Sequence, residues 1–370
     1  METQSSLQPC YLTPEMLRSP MPFDLFNGKG ALLIRKGSQL QDDAGFLLSQ
    51  PLYRPREDSE NDFQQRLQQL EDLYGHYGKL MAAWSCREGD VLELRRLAGD
   101  LVHLCGSYSD LCVAMASHLD GKSHAIKHSF ATAVVAVLIG DALGWNLRRQ
   151  HTLARAGLTM DLSLFSVEDE KTGTRRPLTE DERDDAHKHP EQSAALLLRS
   201  PCVDLDWFAA VDQHHENLDG TGYPVGLKGS DISPEARVLR VADAWCTAVL
   251  LPSGQSRKTP RDAIQAMRRY IGIRFDPKVF QALKRLMGTY PPGTFVRLAN
   301  RETAIVMRWD RHGSLPRYAT SVLTPTGEAA REFKVRPLTE RGYGIRNYTY
   351  LDMAQMARFS LSRIWAAGAV

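Results

Sequence analysis

The stretch "DQHHENLDGTGYP" (Asp212–Pro224) decides how the chain is read. Two adjacent histidines are followed by an acid and then by a glycine-rich turn that stops any helix leading into it. Neutral imidazole is a good metal donor near pH 7. Taken alone, an adjacent histidine pair is an ordinary surface feature. On a helix of about 3.6 residues per turn, neighbours diverge by about 100°. His214 and His215 therefore share one centre only if it lies off the helix end; otherwise they serve two neighbouring centres.

Working outward, nine of the 11 histidines fall between His103 and His215, so the search narrows to the middle of the chain. His124 and His128 are four apart, on one face of a predicted helix. His187 and His189 flank Lys188 just before Pro190; two apart on a helix they diverge, so at most one is a ligand. Asp161 lies in the apolar run "ARAGLTMDLSLF", and Asp243 in "VLRVADAWCTAV". A carboxylate in such surroundings is costly unless it is paired or bound to a cation. The set His189, His214, His215 and Asp161 suits iron, manganese or zinc better than magnesium or calcium, which favour oxygen ligands.

The rest of the sequence sets limits. The chain has 370 residues, 43% hydrophobic and 24% charged, with a net charge of +2. That length supports two or three domains. The charge gives no case for a nucleic acid polymer or an anionic membrane as partner. The apolar run Phe130–Leu138 is far short of a bilayer span, so no membrane span is expected. The N-terminus has no signal pattern. Six scattered cysteines without a CxxC pair point to a reducing cytosol. Cys105 and Cys112, seven apart, read as core on one helix face.

The fold class is mainly α, with small β-containing units at both ends. Residues 1–55 read as a small β-containing unit with a hairpin at Asn27-Gly28. "RPREDSEND" (54–62) reads as a linker, and residues 56–120 as a helical connector. Residues 121–290 form an all-helical domain, with helices predicted at 124–144, 149–162, 179–199, 204–216, 233–250, 260–272 and 277–288. Thr179 with Glu182 makes a capping box, and Ser233 with Pro234 makes a cap and first turn. Residues 291–370 read as a small β subdomain, its strands within 294–338, followed by a last helix at 351–365.

The order of these features resembles a known family. "HS" at 128–129, "MD" at 160–161, "HP" at 189–190, "HHENLDGTGYP" at 214–224 and "ARVLRVAD" at 236–243, with "FDPKVF" at 275–280, is similar to the HD-GYP family. That family is a branch of the HD metal-dependent phosphohydrolases. The resemblance covers about 120–290 and implies an all-helical HD-type domain carrying two or three metals. It implies hydrolysis of cyclic di-GMP by water activated on those metals. Carried over, His128, Asp161, His189, His214, His215 and Asp243 match metal ligands. Asp161, the bridging aspartate, is the catalytic position. Gly222, Tyr223 and Pro224 are the GYP motif. Together with Asp219 they form a substrate- or partner-facing turn, in which Gly220 and Gly222 are expected to need positive φ.

The departures are equally specific. The HD-x-GK pattern reads Met160, Asp161, Leu162, Ser163, Leu164, so a thioether replaces imidazole and an apolar side chain replaces the phosphate-holding lysine. The basic segment that helps hold substrate is not legible in "LPSGQSRK" (251–258). The ligand set of His128, Met160-Asp161 and Asp243 has lost a member. The set of Asp161, His189, His214 and His215 is whole. One good metal site and one crippled one follow, with His124 as the substitute ligand at the crippled half. The cofactor expected is a divalent metal, iron or manganese, as one or two ions.

Two functional readings remain open. The first is a metal-dependent phosphodiesterase of cyclic di-GMP signalling, or of a related nucleotide, with hydrolysis weakened or lost. The second is a catalytically inactive module that binds cyclic di-GMP or docks a diguanylate cyclase-type (GGDEF) domain. A homodimer is compatible with both, and a cytoplasmic location is expected. A plain scaffold is disfavoured, because it has no use for Asp243 in an apolar run.

Overall fold

The computed structural model describes residues 7–10, 24–27, 31–34, 38, 52–55, 60–84, 88–118, 124–165, 187–199, 203–250, 258–309, 316–351 and 363–365. It divides into two compact units, residues 1–62 with 369–370, and residues 63–368. The first unit holds a four-stranded antiparallel sheet of β1 (Leu7–Cys10), β2 (Leu25–Asn27), β3 (Leu32–Ile34) and β4 (Leu52–Pro55), in the order β1-β4-β2-β3. The expected hairpin at Asn27 is present. The Asn27 N–H donates to the Ala31 carbonyl at 2.9 Å, and Asn27 Oδ1 accepts from the Ala31 N–H at 3.0 Å. The expected linker is shorter than its composition suggested. Arg54 and Pro55 belong to β4, with Pro55 at the strand end where a missing donor is tolerated.

The second unit carries α1 (Glu60–Ala82), α2 (Glu88–Ser107), α3 (Ser109–His118), α4 (His124–Ala142), α5 (Leu147–Thr159), α6 (His189–Leu197), α7 (Leu205–Asp212), α8 (Pro234–Val249), α9 (Pro260–Arg268) and α10 (Pro277–Met287). Local chemistry sets many of the starts. Asp204, Ser233, Thr259 and Asp276 each accept a hydrogen bond from a first-turn N–H, and the last three are followed by proline at the first helical position.

The core is built around α4. Ala131, Ala133, Val134, Ala136 and Ile139 are completely buried, so this helix is covered on every side. By length and composition α4 could cross a membrane, and most of it is buried inside the protein. The apolar run 130–138 is only the middle of this helix, which has 19 residues. Helix α5 lies against α4 at backbone distance. A Cβ on Gly157 would stand 2.6 Å from the Ala133 Cα, so only glycine permits this approach.

Some expectations need correction. The helix expected at 149–162 begins at Leu147, capped by Asn146, and ends at Thr159. Asp161 therefore lies beyond the helix, with φ −104° and ψ 22°, ahead of a short 3-10 turn, Leu162–Leu164. Cys105 and Cys112 are buried as expected, but they sit on two helices, because α2 ends at Ser107 and α3 begins at Ser109. The capping box of Thr179 and Glu182 lies outside the described residues, as does most of the expected tail helix.

The C-terminal strands are β5 (Phe295–Leu298), β6 (Thr303–Trp309), β7 (Pro316–Leu323), β8 (Ala329–Pro337) and β9 (Ile345–Tyr348). They form one antiparallel sheet in the order β8-β7-β6-β5-β9. It extends past the expected limit of 338, because β9 returns beside β5. Alternation along β6 serves two cores: Ala304 and Val306 pack in a small cluster with Val296, Leu298 and Ala319, while Ile305 and Met307 join the helical core.

Candidate metal centre

The centre begins where α5 stops. The Tyr77 hydroxyl donates to the Leu158 carbonyl at 2.7 Å, and the Trp207 indole N–H donates to Thr159 Oγ1 at 2.9 Å. These buried bonds fix the last turn of α5 and the direction in which the chain leaves it. Met160 follows, fully buried, and then Asp161, 6% exposed. The Ser129 hydroxyl on α4 donates to Asp161 Oδ2 at 2.8 Å. The other oxygen, Oδ1, lies 3.5 Å from His189 Nε2. The close α4–α5 approach at Gly157 brings Ser129 within reach of a residue past the end of α5.

His189 opens α6, with Pro190 in the first turn. The Ser163 N–H and hydroxyl tie the 3-10 turn to this helix through Ser193 Oγ at 3.1 Å and the His189 carbonyl at 3.3 Å. The helix expected at 204–216 stops at Asp212, so His214 and His215 lie just past the end of α7 and not within its last turn. His214 Nδ1 stands 2.6 Å from the Val211 carbonyl, so Nδ1 carries the proton and Nε2 keeps its lone pair. That Nε2 lies 3.1 Å from His189 Nε2. Burial, and then the neighbouring His189, push the His214 pKa down to about 4. Burial followed by His214 lowers His215 as well. Both rings are therefore neutral near pH 7, the state that binds metal.

One donor atom from each of His189, His214 and His215 falls within 4.8 Å of the other two. An ion held at about 2.1 Å by imidazole nitrogens needs them about 3–3.5 Å apart. Small ring rotations supply that, and Asp161 adds an oxygen beside His189. The residues present fit a divalent transition ion.

The other candidate ligands are arranged differently. His128 Nε2 is bonded directly to Asp243 Oδ1 at 2.9 Å. The Thr247 hydroxyl also reaches Oδ1, at 3.4 Å. Asp243 Oδ2 lies 3.5 Å from an Arg240 guanidinium nitrogen and 3.8 Å from His215 Nδ1. Burial alone would raise the Asp243 pKa, but the His128 bond and the surrounding charges outweigh it and hold the carboxyl far below its usual range. His124 stacks on His128 with ring centroids 6.0 Å apart, and burial lowers its pKa. Leu164, in the place of the expected lysine, is half-buried against the core.

The Gly-Tyr-Pro turn is locked from inside. Asp219 Oδ1 accepts from the Thr221 N–H at 3.0 Å and from its hydroxyl at 2.7 Å, so this acid shapes the turn. Gly220 has φ +83°, as expected. Gly222 does not have positive φ; its requirement is space, since a Cβ there would lie 2.3 Å from the Asn217 nitrogen. Tyr223 stacks between His215, at 4.8 Å, and His187, at 4.4 Å, and its peptide bond to Pro224 is cis. Burial, then Asp243, raises its phenol pKa.

Four residues escaped the sequence reading: Ser129, His187 as the partner of Tyr223, Arg240 and Glu216. Glu216 is 1% exposed, and its Oε1 accepts from the N–H groups of Val225 and Gly226 at 2.8 and 2.9 Å. A signal existed for three of them: Ser129 follows His128, Glu216 follows the histidine pair, and Arg240 precedes Asp243 by one helical turn. The segment 251–257, where a substrate-holding basic patch was not legible, lies outside the described residues.

The HD domain profile matches residues 113–279. A cyclic di-GMP phosphodiesterase of Pseudomonas aeruginosa is 33% identical over 201 residues, which cover 53% of this chain and 45% of that protein. A 3'3'-cGAMP-specific phosphodiesterase of Vibrio cholerae is 27% identical over 47% of this chain and 41% of its own length. The chain thus spans less than half the length of these curated relatives. A solved HDG"Y"P protein from Bdellovibrio bacteriovorus is 17% identical, with a TM-score of 0.49, covering 75% of this chain and 98% of that one. Residues 113–279 are an HD domain, and the paired histidines, the Asp161 turn and the Gly-Tyr-Pro rim within them are similar to the HD-GYP type.

Proposed function

We propose that the chain is a metal-dependent phosphohydrolase of cyclic dinucleotide signalling, with cyclic di-GMP or a related 3'3'-linked cyclic dinucleotide as substrate. The observation that carries this reading is the convergence of His189, His214, His215 and Asp161 in one buried cluster. These four residues would hold a divalent ion, iron or manganese. When bound, such an ion lowers the pKa of a water and neutralises charge developing on phosphoryl oxygens. The chain's own groups do the positioning. Val211 fixes the His214 tautomer, Ser129 orients Asp161, and Tyr223 covers one face of His215.

A second reading is favoured by Met160 and Leu164, which remove an imidazole and a cation from the expected machinery, and by the exposed apolar rim. Val225 is 69% exposed and Ile273 45%, and the Ile273 carbonyl accepts from the Asp219 N–H of the turn. In that reading the domain binds the nucleotide without turnover, and the rim docks a diguanylate cyclase-type domain or a second copy of this chain. The buried free cysteines Cys105, Cys112 and Cys246 suit a reducing compartment, and a cytoplasmic location belongs to the same proposal.

The test is anaerobic incubation of iron- or manganese-loaded protein with cyclic di-GMP and with 3'3'-cGAMP, with His215→Ala as control and products resolved by chromatography. Product that disappears in the control supports hydrolysis. Recovery of both nucleotides intact rejects it, and bound intact nucleotide supports the second reading.

A further inference from the structure

The half of the centre next to Asp243 is already occupied by the chain itself. Arg240 and Asp243 are one turn apart on the same face of α8, and a guanidinium nitrogen lies 3.5 Å from Asp243 Oδ2. The same guanidinium donates through Nε to Asn217 Oδ1 at 3.2 Å and stands 5.5 Å above the centroid of the Phe275 ring. It is thus held from three sides, with its side chain only 15% exposed. The opposite oxygen, Oδ1, is taken by His128 at 2.9 Å and Thr247 at 3.4 Å. Both oxygens of the aspartate therefore already have protein partners. At the position where the family resemblance places a histidine ligand, Met160 is 0% exposed and offers a thioether, a poor donor for a hard or borderline ion.

We propose that Arg240 is a fixed cation standing in for a second metal, so that this chain holds a single ion, at Asp161, His189, His214 and His215. This rests on the metal-centre reading above. Asp243 needs one positive partner when buried, and a covalently tethered guanidinium meets that need without loss of free-ion entropy. A dication entering beside it would have to compete with His128 and Arg240 for Asp243 and would sit next to a fixed like charge. Restoring an imidazole at position 160 is thus not sufficient to recruit a second ion; the guanidinium must also go.

The experiment is metal stoichiometry on the full chain. Protein is loaded anaerobically with Mn²⁺, freed of excess ion, and analysed by elemental mass spectrometry and electron paramagnetic resonance. Wild type is expected to hold one ion with the spectrum of isolated Mn²⁺. Met160→His should also hold one. The double variant Met160→His/Arg240→Met should hold two, with a spin-coupled spectrum, and Met160→His/Arg240→Lys should return to one. Two ions in wild type or in Met160→His would overturn the proposal. So would one ion in the Arg240→Met double variant while its circular dichroism matches wild type. If that variant does not fold, the wild-type and Met160→His counts decide. No ion in wild type, unchanged by Asp161→Ala, would instead remove the metal-centre reading itself and this inference with it.

Discussion

Glu216→Ala probes what holds the Gly-Tyr-Pro rim against the donor cluster. The Glu216 carboxylate accepts two backbone N–H groups at 2.8 and 2.9 Å and is 1% exposed. Hydrogen bonds to a charged acceptor contribute about 1.5–3 kcal/mol each. Truncation therefore removes a gross 3–6 kcal/mol by that estimate. Water recovers part of it, because Val225 is exposed and its freed N–H can be hydrated. A net loss of about 2–3 kcal/mol in local stability follows. If the rim opens as a local unit, amide exchange at Val225 and Gly226 should accelerate about 30- to 150-fold, since each 1.4 kcal/mol is about a factor of ten. Hydrogen–deuterium exchange with peptide resolution across 214–228 reads this directly. Glu216→Gln keeps one acceptor oxygen but loses the charge, and should fall between the two. Metal content should stay at the wild-type value, because Oε1 is engaged by the rim and Oε2 has no hydrogen-bond partner among the described residues. Unchanged exchange in Glu216→Ala would refute the clamp, and loss of metal with unchanged exchange would show that the acid acts on the ion.

Ser129→Ala removes the bond that orients Asp161; metal affinity, read by chelator competition, should fall about 10- to 100-fold with the fold intact. Asp161→Ala should abolish binding, and a retained ion would make Asp161 merely a buried hydrogen-bonding group. Tyr223→Ala should leave metal content unchanged, because the ring stacks on His215 without supplying a ligand; a large loss would mean that the stack holds His215 in place. Gly157→Ala forces a methyl to within 2.6 Å of the Ala133 Cα and should cost at least about 1–3 kcal/mol in chemical denaturation, with the overpacking shifting Asp161 as well. An unchanged midpoint would show that α5 tolerates a wider crossing.

Local chemistry made much of this protein legible before any coordinates. Ser233-Pro234 announced the start of α8, because a cap and a fixed φ act within one turn. The glycine-rich turn announced that a helix ends near the histidine pair, but α7 stops at Asp212 and not at the expected 216, which frees His214 and His215 from it. The apolar setting of Asp161 and Asp243 correctly implied burial. Even there the reason could mislead. Gly222 was expected to serve a positive φ, and the structure requires it for clearance from the Asn217 backbone, a distance no local pattern encodes.

Tertiary structure decided which of these groups meet. Ser129 and Asp161 are 32 residues apart, and His128 and Asp243 are 115 apart. Their encounters depend on how closely α5 approaches α4 at Gly157 and on how α8 is turned against α4. Helix periodicity places His128 and Asp243 on definite faces but does not say whether those faces oppose each other. Nor could it show that Arg240 turns toward Asp243. Capping and periodicity arise from bonds within a few residues, so the sequence carries them openly. The division of this centre into a donor cluster and a self-neutralised half arises from packing between distant helices, where the complementarity of many side chains at once selects a single arrangement.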